Sequence, residues 1–349
     1  MRTTRMAGAL AALMMGAMAG AGAAQAAPAP TPGQAAYVAG LHVIRRFPGP
    51  DGGWDYASFD PAHRRLFVAH GDRVLALDVD SGKLNTDFAA GSHLHEILPI
   101  PHENLIVTTN SGDKTVRILT ADGKLKATLP VAPDADGAVY DPATGLAVVI
   151  NGDAGLLTLV DPRAAKVVGT IPIVAGLEFG AVDGHGRAYI NIESQDQIAV
   201  VDLRARKVVT RYALQGCHGP GGLALVSGDR LITACHNGDA EVLDARTGHE
   251  IASLKIGGFP DAVIYDPIRN LAYIPTAMDG KLNVVALSGP HDNQVIGRVP
   301  TQIGARTGAV DPKTGHIYLP AATYNLPVPK GQRPTTKPGT FVILEVGRS

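Results

Sequence analysis

From Gly49 to the C-terminus, short apolar runs alternate with polar turn residues, and the whole pattern recurs seven times at about forty residues. Each unit holds an apolar run ending near Asp-Pro, a turn, a β-rich run, a Gly/Asn/Asp turn and a further β-rich run. Aligned on the turn after the first run, the units give Asp60-Pro61, Pro101-His102, Asp141-Pro142, Asp183-Gly184, Ser227-Gly228, Asp266-Pro267 and Asp311-Pro312, spaced by 39 to 45 residues. Runs this short, rich in β-branched residues and bounded by turn formers, predict strands and not helices. Second strands are predicted over 66–69, 105–109, 146–150, 188–192, 231–234, 271–274 and 317–319. Third strands follow, as over 74–79, 115–120 and 156–161, and more polar fourth strands over 166–173, 207–214 and 250–256. Four antiparallel strands in each of seven units predict an all-β, seven-bladed β-propeller.

A ring of blades must close or leave two exposed sheet edges. Unit seven supplies a third strand over 340–346 and no fourth. The segment Leu41-His42-Val43-Ile44-Arg45-Arg46-Phe47 has the fourth-strand pattern and stands before unit one. It is expected to complete blade seven, within a single propeller domain spanning 39–349 and preceded by a flexible linker over 27–38.

Leu105-Ile106-Val107-Thr108-Thr109-Asn110-Ser111-Gly112 and Ala147-Val148-Val149-Ile150-Asn151-Gly152-Asp153, with Asp-Pro upstream and Val-Asp downstream, resemble the YVTN (YncE-like) β-propeller family. The resemblance covers about residues 40 to 349 and implies the propeller fold. For function it implies a range: ligand binders, surface proteins, metal-handling proteins and a few lyases or lactonases occur in this and neighbouring propeller families.

The chain of 349 residues is 45% apolar and 18% charged, with 41 Gly and 25 Pro, as a turn-rich all-β protein requires. Arg2 and Arg5, the apolar run from Ala7 to Ala24 and the small residues at Ala24-Gln25-Ala26 read as a cleavable secretory signal over 1–26. A periplasmic or secreted protein that is not embedded in the membrane is expected. Without the two signal arginines, 29 basic face 32 acidic side chains, a formal charge of −3, so no basic field favours nucleic acid. The only cysteines are Cys217 and Cys235. An oxidising compartment makes them a disulfide; the alternative is a Cys/His metal site with reduced thiols.

In a propeller the innermost strand leaves one face and the second strand returns to it, so the chain preceding the first strand and the chain following the second share a surface, the top. Five residues before the turn column stand Asp55, Asp136, Glu178, Asp261 and Arg306, with His93-Leu94-His95-Glu96 at the matching place in unit two. Glu193 closes a second strand on the same face. Of twelve histidines, five map to the top: His70, His93, His95, His218 and His236. Imidazole is the commonest metal ligand, so these five are the candidate ligands for a divalent transition metal, copper or zinc, with the acidic ring and Arg306 as ligand-binding candidates. His70, His93 and His95 form one group at the junction of blades one and two. His218 and His236 form another in blade five, held together if Cys217 and Cys235 are bridged. Met278, the one methionine after the signal, also maps near the top and would favour copper. The long segment from Tyr324 to Gly339 is expected to project over this face as a flap.

Three functional readings follow. The leading one is a small ligand or metal ion bound on the top face through the clustered histidines. The second is a metal-dependent lyase or lactonase using the same face, although no local motif identifies a reaction. The third is a scaffold docking a periplasmic protein, with Trp54 as the anchor or, alternatively, as a plug of the channel.

Overall fold

The computed structural model describes residues 33–325, 327 and 335–349. The expected signal over 1–26, the first part of the linker and most of the flap, 328–334 with Lys330 and Arg333, lie outside the described residues. Twenty-eight strands form seven four-stranded antiparallel sheets, six of them built from consecutive strands. The seventh has the order His42–Pro48, Val342–Gly347, Ile317–Ala321, Ala309–Val310, so the N-terminal strand pairs with the C-terminal one, Phe47 opposite Ile343. The ring closes as the strand pattern requires, with the closing strand one residue later than expected.

The recurring Asp of the turn column has a local cause. Asp60 accepts the backbone N–H of Ala62 and His63, Asp141 that of Thr144, Asp266 those of Ile268 and Arg269, and Asp311 that of Lys313. A short carboxylate replaces the hydrogen bonds that the turning backbone cannot make to a neighbouring strand. Asp311 also holds blade one to blade seven through Arg64 Nη1, at 2.6 Å.

Side chains that alternate off each sheet meet those of the next blade in seven buried clusters, one for each junction around the ring. The junction of blades seven and one packs Phe47, Trp54, Leu66, Tyr318, Phe341 and Ile343. The junction of blades six and seven includes a residue from outside the sheets. Residues Gln34–Ala39, expected to belong to a flexible linker, form a helix whose Val38 lies in that cluster. Gln34 Nε2 donates to Arg269 O at 3.0 Å and the Tyr37 hydroxyl to Gly315 O at 3.1 Å. Val38 fits because Gly297 faces it: a Cβ there would stand 2.2 Å from Val38 Cγ1. The end of the supposed linker is therefore a docked element, fixed by the packing of Val38 and Tyr37 and by hydrogen bonds from Gln34 and Tyr37.

The closing strand generates a test. A chain beginning at Gly49 lacks this helix and His42–Pro48, leaving the outer edge of Val342–Gly347 unpaired. It is expected to self-associate through that edge and melt at lower temperature, read by size-exclusion chromatography with light scattering. A monomer with unchanged melting would contradict the role given to the strand.

Candidate functional site: the mouth of the central channel

The innermost strands of blades two to five are all irregular at the same place. Register shifts lie between Leu94 and Ile97, Ala135 and Ala138, Leu177 and Gly180, and Pro220 and Gly222. The residues inside them are His95 and Glu96, Asp136 and Gly137, Glu178 and Phe179, and Gly221. A β-bulge frees a residue from the ladder and re-aims its side chain. In blades one, six and seven the paired strand starts only after Asp55, Asp261 and Arg306, at Ala57, Ile264 and Ala309. In every blade, ladder pairing thus fails at the column that faces the axis.

These residues form one continuous polar chain. His95 Nδ1 lies 2.6 Å from Asp55 Oδ2 and 3.1 Å from Asp136 Oδ1. Asp55 Oδ1 is 3.6 Å from Arg306 Nη2, and Arg306 Nε is 2.5 Å from Asp261 Oδ2. Asp261 Oδ1 is 3.2 Å from His236 Nε2, and His236 Nδ1 is 3.2 Å from Glu193 Oε1. Carboxylate alternates with cation along the whole arc, from blade three through two, one, seven and six to five and four.

The carboxylates set the protonation of the imidazoles. Burial alone would lower the pKa of His95, but the hydrogen bonds to Asp136 and Asp55 outweigh it and raise the value from 6.5 to about 10. His236, bonded to Asp261 and Glu193, is likewise raised to about 10. Arg306 is held charged by Asp261 and Asp55 against the effect of burial. Glu178, by contrast, has no cation of its own. Burial, then repulsion from Asp136, Asp261, Glu193 and Asp55, pushes its pKa well above the usual carboxylate range. The ring therefore favours the positive forms of His95, His236 and Arg306 and disfavours the charged form of Glu178.

Asp55, His95 and Asp136 also offer three donor atoms within 4.8 Å of one another, from three adjacent blades. One imidazole and two carboxylates suit a divalent transition ion. Ser111 orients the ring: its Oγ lies 3.0 Å from His95 Nε2 and 3.1 Å from His93 Nδ1. The distances from His95 Nδ1 to the carboxylates are those of a protonated, hydrogen-bonded ring. An ion about 2 Å from each donor would take the place of that proton and spread the three apart.

Of the five candidate ligands only His95 joins this group. His70 is buried between Gly52 and Phe341, ring centroids 4.6 Å apart, and burial lowers its pKa, so it is a packed neutral ring. His93 stands beside His95, centroids 4.8 Å apart, but its backbone is left-handed and its Nδ1 faces Ser111. His218 is exposed and bonds Asp196 Oδ2 at 2.7 Å, whereas His236 bonds Glu193 and Asp261; the two do not share a partner. Cys217 and Cys235 are disulfide-bonded, so neither is a thiolate ligand. Their loop is held independently: Glu241 Oε1 accepts the N–H groups of Gln215, Gly216 and Cys217 at 2.9, 2.6 and 3.0 Å. Met278 is exposed against Gly258 and offers no thioether to the imidazoles. Trp54 neither anchors nor plugs: it is buried at a blade junction, stacked on Tyr324 at 6.3 Å and beside Phe341 at 5.7 Å, with its carbonyl bonded to Arg306. The described ends of the flap form a bridge between Tyr324 and Thr336.

Two residues of the site carried weaker sequence signals. Ser111 lies one position beyond the second strand of blade two, outside the columns compared. The place of blade five is held by Gly221, whose missing side chain admits His236 from the neighbouring strand end. A Cβ on Gly221 would stand 3.2 Å from His236 Nε2 and 2.9 Å from Pro260 O. A glycine breaking an otherwise polar column is the signal that could have located it.

No family model matches the chain and no curated protein matches it. Among solved structures it is similar to a chain of hydrazine synthase from Kuenenia stuttgartiensis, with TM-score 0.68 and 15% identity over 81% of this chain and 95% of that one. It is also similar to a chain of the mitotic checkpoint complex, with TM-score 0.73 and 11% identity over 99% of both chains. At these identities the likeness is one of fold, the seven-bladed propeller.

The ring makes stability depend on pH. Bases whose folded pKa is raised from 6.5 to about 10 stabilise the fold fully below pH 6.5 and lose that contribution as pH rises through about 10. The melting temperature is expected to fall from pH 6.5 towards pH 10, and His236→Gln to lessen that slope. An unchanged slope in the variant would refute the assignment of charge to His236.

Proposed function

We propose that this chain is a secreted or periplasmic β-propeller that binds a divalent transition metal at the mouth of its channel through Asp55, His95 and Asp136. The observation that carries the reading is the convergence of these three donors within 4.8 Å, at a place where the strand ladder is interrupted. Three protein ligands leave a position for water or a small ligand. A divalent ion there would polarise an oxygen ligand or acidify a bound water. With the cysteines bridged, the donor set is one nitrogen and two oxygens, which lacks the soft sulfur ligands that select copper(I) and suits a divalent ion such as zinc. Arg306, paired with Asp261 and near Asp55, sits on the same arc and supplies a positive group beside the site.

The proposed compartment agrees with the disulfide, and among the described residues no helix is long and apolar enough to cross a membrane. The YVTN-like motifs agree with the fold. The binding role is the better supported one because it rests on three converging donors, whereas a lyase or lactonase would need a positioned base and substrate contacts in addition, and no motif identifies a reaction.

The test is calorimetry with zinc chloride on tag-free protein, with elemental analysis. One equivalent is expected to bind, more tightly as pH rises because a proton must leave His95. His95→Ala should weaken binding by about a hundredfold, the scale of losing a ligand that fixes the ion, and His70→Ala should leave it unchanged. Absence of stoichiometric zinc at pH 8, or indifference to His95→Ala, would overturn the reading.

A further inference from the structure

A cavity of about 250 Å³ is lined by Tyr56, Phe59, Glu96, Phe179, Asp261, Ile264 and residues of the innermost strands of blades six and seven. Its polarity changes along the axis. Tyr56, Glu96 and Asp261 lie near the top, early in their units, whereas Phe59, Ile264 and Val310 lie one or two residues before the bottom turns at Asp60, Asp266 and Asp311. No Lys, Arg or His lines it among the described residues.

The two carboxylates are not alike. Asp261 is already satisfied by Arg306 and His236. Glu96 is 4% exposed, and one of its oxygens accepts the N–H of Ile97 at 2.9 Å. Its other oxygen has no partner among the described residues, and no cation accompanies it. The Tyr56 hydroxyl, on a ring that is also buried, makes no side-chain hydrogen bond among the described residues, and the ring lies 4.7 Å from that of Phe179.

We propose that this cavity binds a small organic cation, an alkylammonium whose charged head meets Glu96 and the face of Tyr56 and whose apolar tail lies towards Phe59, Ile264 and Val310. An ammonium head satisfies a buried carboxylate by charge-assisted hydrogen bonds and an aromatic face by cation–π attraction. A bare or hydrated metal ion fits poorly, because the walls below Glu96 are apolar and offer no oxygens to replace its water. A carboxylate ligand would be repelled by Glu96 and Asp261. The site uses none of Asp55, His95 or Asp136, so it stands or falls independently of the metal reading.

Calorimetry and thermal shift at pH 7 with EDTA present, comparing hexylamine, hexanol and hexanoate, decide the matter. Hexylamine is expected to bind at least about tenfold more tightly than hexanol, the scale of a desolvated cation–π and charge contact, and hexanoate not at all. Glu96→Gln should abolish the preference for the amine while retaining hexanol binding, which also shows that the variant is folded. Tyr56→Leu should reduce the same preference, and His95→Ala should leave it intact. Hexylamine binding no better than hexanol, a preference that survives Glu96→Gln, or one lost with His95→Ala and not with Glu96→Gln would each overturn the proposal.

Discussion

Seven strands converging on one axis bring the first residue of each blade within Coulomb range of the others, and the rest of the site follows from how that crowding is neutralised. Five of the residues gathered there are acids: Asp55, Asp136, Glu178, Glu193 and Asp261. The chain places three cations among them, and Asp55 and Asp261 are each shared between two, so that the arc reads as alternating charge. Glu178 falls outside this pairing, and burial with repulsion from the other acids pushes its carboxyl above the usual range. The same arrangement that stabilises the mouth makes it receptive: His95 holds a proton between two carboxylates, which is also the position a divalent ion would take.

The backbone makes this possible by giving up regularity where the axis is reached. Bulges in blades two to five and late-starting strands in blades one, six and seven cost ladder hydrogen bonds, but they release the side chains that face the channel. The seven apolar junctions and the closing strand hold the blades in place while the inner edge departs from ideal geometry.

The fold was legible because it rests on repetition. The period, the Asp-Pro turns and the unmatched fourth-strand pattern of residues 41–47 are all visible in one sequence, and the structure realises them to within a residue or two. The ring column was legible for the same reason, since register from a turn fixes which residues face the axis. What register does not encode is rotamer and partner. His70 and His95 both map to the top, yet one packs against Phe341 and the other enters the ring. The pairing of His218 with Asp196 depends on residues in different blades, and no local pattern announces it. The helix Gln34–Ala39 escaped because its docking depends on a space opposite Gly297, a property of two segments far apart in the chain.

Glu241 extends this logic to the one covalent cross-link. A single carboxylate oxygen gathers three successive backbone N–H groups ahead of and at Cys217, so the loop bearing the disulfide is tethered electrostatically as well as covalently. The sulfurs join this loop to the end of the neighbouring strand, whose Cys235 lies opposite Pro220, three residues beyond Cys217. The ladder between the two innermost strands of blade five and the three bonds to Glu241 involve no sulfur, so this corner of the blade has polar supports besides the covalent one.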